Sequence, residues 1–132
     1  MKPRVFNLST PERNCLLDIT DQVARAVGDS GLEDGAVMVY IPHTTAGVTV
    51  NEGADPAVKA DILARLEKLV PENAGYRHAE GNSDAHIKST IVGSSCLVPV
   101  ESGKLALGTW QKIFFCEFDG PRNRRFSVIP LS

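Results

Sequence analysis

The sequence predicts an α+β domain with mostly antiparallel strand pairing. Three observations carry that expectation. The apolar spacing changes period several times along the chain; one clear helical stripe is bounded by Pro56 and Pro71; and the stretch from Ser95 to Leu131 holds no helical stripe at all. At 132 residues the chain reads as a single domain, 1–132. A chain of that length buries roughly two-thirds of its unfolded surface, enough for a core without staples.

The elements follow in order. Asn14–Ile19 is short and apolar and reads as a strand. Thr20 is a candidate N-cap, with Val23, Ala24, Ala26 and Val27 at helical spacing until Gly28 and Gly31. Ala36–Ile41 is apolar, holds β-branched residues and stops at Pro42, as a buried strand does; Gly47–Val50 reads as another. The clearest helix starts at Asp55, with Pro56 at its first position. Its stripe is Val58, Ile62, Leu66 and Leu69, with Leu63 and Val70 beside it, and Pro71 ends it. Asn82 or Ser83 can cap a shorter helix that runs to about Val92 and is closed by Gly93. The remainder reads as three or four strands with turns at Ser102-Gly103 and Asp119-Gly120-Pro121. The expected inventory is two or three helices and a β-rich C-terminal half.

Composition removes several functional classes. The apolar fraction of 42% and charged fraction of 23% are those of a globular chain. No apolar run approaches the roughly 20 residues a bilayer span needs. The N-terminal Met1-Lys2-Pro3-Arg4-Val5 lacks the apolar run of a signal peptide, so a cytoplasmic protein without a membrane partner is expected. A net charge of −2 argues against a nucleic-acid partner, because phosphate-backbone binding draws on clustered Lys and Arg. Cys15, Cys96 and Cys116 form no Cys-x-x-Cys pair and sit in apolar stretches, which predicts free thiols in a reducing compartment.

The chemistry-bearing residues collect in three segments. His43 stands at the end of a predicted strand, ahead of Thr44 and Thr45, and that strand leads to Asn51 and Glu52. The second segment, Tyr76 to Lys88, contains His78, Glu80, Asn82, Asp84 and His86 around a Gly-containing turn. Asp84 and Lys88, four apart, can also simply pair on a helix surface. The third holds Trp110 and Gln111, then Glu117 inside an apolar strand, then Arg122, Arg124 and Arg125. Trp110 is either core or a platform for a flat heterocycle. Glu117 requires either a wet edge or a partner. The arginines suit phosphate, because guanidinium forks match its oxygens bidentately, or they form a solvated turn.

The chain has three histidines, and all lie in polar turns rather than on apolar stripes. Three imidazoles suit a divalent metal such as Zn, or Mg or Mn with nearby carboxylates, and leave a position open for water or substrate. The expected metal ligands are therefore His43, His78 and His86, with Glu52, Asp55, Glu80 and Asp84 near them. A histidine in the same place can instead act as a general acid or base without metal.

The segments His43-Thr44-Thr45-Ala46, Asn51-Glu52 with Asp55-Pro56, His78 with Asn82-Ser83-Asp84-Ala85-His86-Ile87-Lys88, Leu107-Gly108-Thr109-Trp110-Gln111 and Glu117-Phe118-Asp119-Gly120-Pro121-Arg122 together resemble the YjbQ-like family, whose members are often described as secondary thiamine-phosphate synthases. The match runs through nearly the whole chain in order. The resemblance implies an α+β fold, a homotrimer with sites near subunit boundaries, and metal or anion binding around the matched histidines. It also implies a transferase that joins a pyrimidine-methyl diphosphate to a thiazole phosphate. On that basis His43, Glu52, Asp84 and His86 are the expected catalytic residues. Thr44, Thr45, Asn82, Trp110, Gln111, Arg122 and Arg124 are the expected contacts to a small phosphorylated metabolite. Two alternatives stay open: a metal-dependent hydrolase or lyase of such a metabolite, and a non-catalytic trimer that binds a metabolite or metal.

Overall fold

The structure, a computed structural model, describes residues 2–132. Among these, eight strands and three helices run in the order β1 (Arg4–Ser9), β2 (Cys15–Asp18), α1 (Thr20–Ser30), β3 (Gly35–Tyr40), β4 (Ala46–Glu52), α2 (Pro56–Leu69), α3 (Ser83–Val92), β5 (Ser95–Glu101), β6 (Lys104–Leu105), β7 (Gln111–Glu117) and β8 (Asn123–Leu131). Every strand pair is antiparallel. One sheet has the order β1-β8-β3-β5-β6 and the other β2-β7-β4.

The two sheets face each other across one core. Val37 and Val39 of β3, Val98 and Val100 of β5, and Phe126 and Val128 of β8 project from the larger sheet. Val48 of β4 with Ile113 and Phe115 of β7 project from the smaller one. Each of these side chains contributes about 1.5–3 kcal/mol by leaving water. α1 adds Val23, Ala26 and Val27 to the same core. β7 is covered on both sides: Phe114 and Cys116 point the other way, with Phe118 beyond the strand, toward Ala85 of α3 and Ile62, Leu63 and Leu66 of α2. Gly47 of β4 marks where α3 ends against this sheet, since a side chain there would meet the carbonyl of Gly93 and the side chain of Val92.

The expected fold class holds, and most expected elements lie within a residue or two of their places. Three details differ. Thr20 does not cap α1: its hydroxyl accepts the Ile113 N–H at 2.8 Å and ties the helix to β7, while Asp18 Oδ1 accepts the Thr20 N–H. The α2 stripe is only half-covered, and Leu69 is exposed, because the helix rests on the sheet rather than inserting into it. β1 carries no expected element, yet it pairs along its whole length with β8. Asp55 caps α2 as its position suggests, accepting the Ala57 N–H at 2.9 Å.

Candidate functional site

A cavity of about 650 Å³ opens between the β3–β4 connection with His43, Thr44 and Thr45, the start of α3 with Asn82 and His86, and the β7–β8 turn with Asp119 and Arg122, followed by Arg124 at the start of β8. Glu80, Ser94 and Tyr40 complete much of its wall. The antiparallel register explains the convergence. β4 begins opposite the end of β7, with Ala46 facing Glu117, so the turn before β4 and the turn after β7 lie side by side.

His43 is half-buried, and its Nε2 lies 3.1 Å from both the backbone N–H and the carbonyl of Arg125. Burial, then the positive charge of Arg124, hold its pKa below the ordinary histidine value. The ring is therefore neutral near pH 7, and Nδ1 remains as its second polar atom. In one tautomer Nδ1 donates. In the other it is free to take a proton while Nε2–H donates to the Arg125 carbonyl.

Arg124 and Arg122 play different parts. Arg124 is buried: its Nε and Nη2 contact the Glu117 carboxylate at 2.8 and 2.5 Å, and Nη2 also donates to Thr45 Oγ1 at 2.8 Å. Burial alone would raise the Glu117 pKa, but hydrogen bonds from Arg124, Thr10 and the Asp119 backbone outweigh it and keep the carboxyl below its usual value. Glu117 thus has the partner its apolar setting requires. Arg122 is 51% exposed at its side chain, with Nε and Nη2 held by the Asp119 carbonyl and carboxylate, both at 2.9 Å. Its Nη1 makes no hydrogen bond among the described residues.

Asp84 does not face this cavity. It is fully buried, 2.9 Å from the Nζ of the equally buried Lys88 and 3.0 Å from Nη2 of Arg13. Lys88 Nζ also reaches Glu67 at 2.6 Å. The Asp84–Lys88 pair therefore exists, but in the interior and not on a helix surface. Glu52, Trp110 and Gln111 sit at the opposite end of the β4–β7 pair, about 20 Å away at ~3.3 Å per strand residue. There Glu52 Oε2 accepts the N–H groups of Ala54 and Asp55, and Gln111 Oε1 accepts that of Gly108. Trp110 is 63% exposed, which removes it from the core.

The histidines meet only in part. The rings of His78 and His86 pack edge-to-face with centroids 5.5 Å apart, and Glu80 lies 3.8 Å from His78 Nε2. His43 lines the cavity with His86 but is held by the Arg125 backbone, and His78 is not among the residues of that cavity wall. Among the described residues of one chain, no three His, Cys, Asp or Glu side chains converge as a metal centre. The donor set of a single chain does not fit a resident metal. Cys15 and Cys116 are buried, Cys96 is half-buried, all are free, and burial raises the pKa of each. No thiolate is available here.

Asp119 was legible only as a turn residue; its carboxylate, packed between Arg13, Asn82 and Arg122, depends on contacts that no local pattern encodes.

The profile described as UPF0047 protein YjbQ-like matches residues 4–131. The chain belongs to this family. It is 52% identical over 123 residues to a UPF0047 protein of Methanocaldococcus jannaschii, covering 93% of this chain and 89% of that one. It is 50% identical over 122 residues to the UPF0047 protein YugU of Bacillus subtilis, covering 92% of each. Among solved structures, a YjbQ/UPF0047 family protein from Clostridium acetobutylicum superposes with TM-score 0.94 at 51% identity, covering 95% of this chain and 97% of that one. A protein of unknown function from Sulfolobus solfataricus, described as YbjQ-like, gives 0.93 at 35%, covering 96% and 94%. The YjbQ-like fold is thereby shown. No helix of the described residues is long and apolar enough to cross a membrane.

Proposed function

We propose that this YjbQ-like chain is an enzyme that binds a small phosphorylated metabolite in the cavity, with phosphate on Arg122 and proton transfer at His43. One observation carries the reading: a half-exposed, pre-oriented guanidinium and a histidine kept neutral by burial line the same cavity. Its volume of about 650 Å³ suits a ligand of metabolite size. Thr44, Asn82 and His86 add donors and acceptors around it, and Arg124, in the cavity wall in front of Glu117, supplies positive potential.

The specific reaction proposed is the thiamine-phosphate synthase type. There the diphosphate of a pyrimidine-methyl diphosphate departs and the nitrogen of a thiazole phosphate attacks the methylene carbon. The catalytic demand is to neutralise the departing diphosphate and align two rings, which is electrostatic and positional work. Arg122 answers the first part. The test is turnover of the two heterocyclic phosphates by wild type and Arg122→Ala, alongside calorimetric titration with inorganic pyrophosphate. Product formation and pyrophosphate binding that both fall in Arg122→Ala support the reading. Pyrophosphate binding without turnover leaves a binding protein. Hydrolysis of a single phosphorylated substrate points to a hydrolase or lyase instead.

A homotrimer is part of this proposal. The outward face of the larger sheet presents Met38, Leu97 and Ile129 side by side, with Val5 and Leu131 nearby, and bears few charges. Apolar patches of this kind mark interaction surfaces. Tyr40 belongs to that face and also to the cavity wall, so a second copy seated there borders the site.

A divalent metal is a second reading, favoured by the contact between His78 and His86. It needs a further donor from a neighbouring copy. Metal analysis of wild type against His78→Ala decides it: near-stoichiometric metal lost in the variant supports it, and none in either opposes it.

A further inference from the structure

We propose that Asp119 is the positioning residue of the anion site, fixing Arg122 and the α3 terminus that carries His86 in one relative geometry. The inference rests on the cavity reading above and adds what holds it together. Asp119 Oδ2 accepts from Arg122 Nη2 and from Asn82 Nδ2, each at 2.9 Å. A carboxylate only accepts, so the Asn82 amide must present its nitrogen to it.

Asn82 occupies the N-cap position of α3, where an asparagine oxygen ordinarily accepts a helix N–H; here it makes no cap bond. Its amide is turned to Asp119 instead, and its Oδ1 is shielded and without a partner. Meanwhile its backbone carbonyl receives the N–H groups of Ala85 and His86. A helix cap is forgone in favour of a link between α3 and the β7–β8 turn. That turn is itself rigid: the Asp119 N–H donates to Glu117 Oε2 at 3.0 Å, and a side chain at Gly120 would strike the Glu12 carbonyl. A long arginine side chain loses much rotamer freedom on binding a ligand, and ordering it beforehand removes that cost from affinity.

The test is a double-mutant cycle read by calorimetric titration with inorganic pyrophosphate, using wild type, Asp119→Asn, Arg122→Ala and the double variant. Asp119→Asn is expected to weaken binding about tenfold, the scale of one charge-assisted hydrogen bond. In the Arg122→Ala background the same change is expected to cost under about twofold, because no guanidinium remains to position. A role confined to folding lowers the melting temperature in both backgrounds alike and produces no such coupling. Should Asp119→Asn unfold at the assay temperature, Asp119→Glu replaces it, keeping the charge but displacing the carboxylate, with the same coupled loss expected. Wild-type affinity in the Asp119 variant beside a weakened Arg122→Ala overturns the inference and leaves the anion site standing. A loss that persists undiminished without Arg122 also overturns it. Unchanged affinity in both single variants overturns the anion site and this inference together.

Discussion

The Arg124 guanidinium and the Glu117 carboxylate join the two sheets at the floor of the cavity, in a contact of 2.8 Å from Nε and 2.5 Å from Nη2. Both residues are buried, so removing one strands a charge. Arg124→Met is expected to destabilise the fold by about 3–5 kcal/mol, the usual cost of breaking a buried pair from one side. Replacing both by apolar residues of similar size is expected to cost much less. Urea melts of the two variants check this. Because Glu117 titrates below its ordinary value of 4.5 in the fold, its contribution is complete above that pH and is lost as acid carries the solution down through its native pKa. Glu117→Gln should flatten that acid limb.

His43 has a dependence of the same sign, set at higher pH. Its pKa is lowered by folding, so the unfolded chain binds the proton more readily. Stability should be complete above the unfolded value of 6.5 and decline as pH falls from there toward the lower native value, then level off. His43→Gln removes the titrating group and should lessen the decline between pH 7 and 5. Melting temperatures across that range in both proteins measure it. Parallel curves would reject the neutral, buried-histidine account.

Asp84 and Lys88 should behave as structural residues whatever the reaction proves to be. Asp84→Ala leaves a buried ammonium with one partly exposed carboxylate, Glu67, and is expected to cost about 3–5 kcal/mol. Glu67→Ala, at the wetter end of the same network, should cost about 1 kcal/mol or less. Chemical denaturation separates the two. Equal costs would mean that Glu67 and Asp84 share the Lys88 charge evenly, and a larger cost for Glu67→Ala would make Glu67 its main counter-charge.

These cases show what the sequence could and could not disclose. Period and punctuation revealed β3, α2, α3 and the strand-rich C-terminal half, because each carries its own signal: Pro42, Asp55-Pro56, Gly93 and the Asp119-Gly120-Pro121 turn. β1 was missed although Phe6 and Leu8 turn inward, because its alternation is short and its pairing partner is more than 110 residues away. The cavity's histidines and Arg122 were visible as polar residues clustered in turns. The separate duties of Arg122 and Arg124 were not, since Arg122 sits in the turn before β8 and Arg124 in the strand, and only tertiary contacts decide which guanidinium meets the buried Glu117. Asp84 looked catalytic for the same reason: a carboxylate two residues before His86 gives no hint of which way it points.

The outward face of the larger sheet yields the last prediction. Leu97 is 64% exposed and stands beside Met38, which in turn stands beside Ile129, an arrangement that costs solubility unless something covers it. A second copy would cover it, and Tyr40 would then bring the subunit boundary to the cavity. Leu97→Asp places a charge at the centre of this surface while leaving the inward-facing Val98 and Cys96 in place. The wild-type protein is expected to sediment at three times the 14.2 kDa chain mass, and the variant as a single folded chain with weaker pyrophosphate binding. Trp110, already exposed in the isolated chain, provides the parallel optical readout: its emission should shift on dissociation if the β4–β7 end, with Glu52 and Gln111, lies against a neighbouring copy. A wild type that sediments as one chain removes the trimer, and a variant that separates into single chains without loss of binding places the site wholly within one subunit.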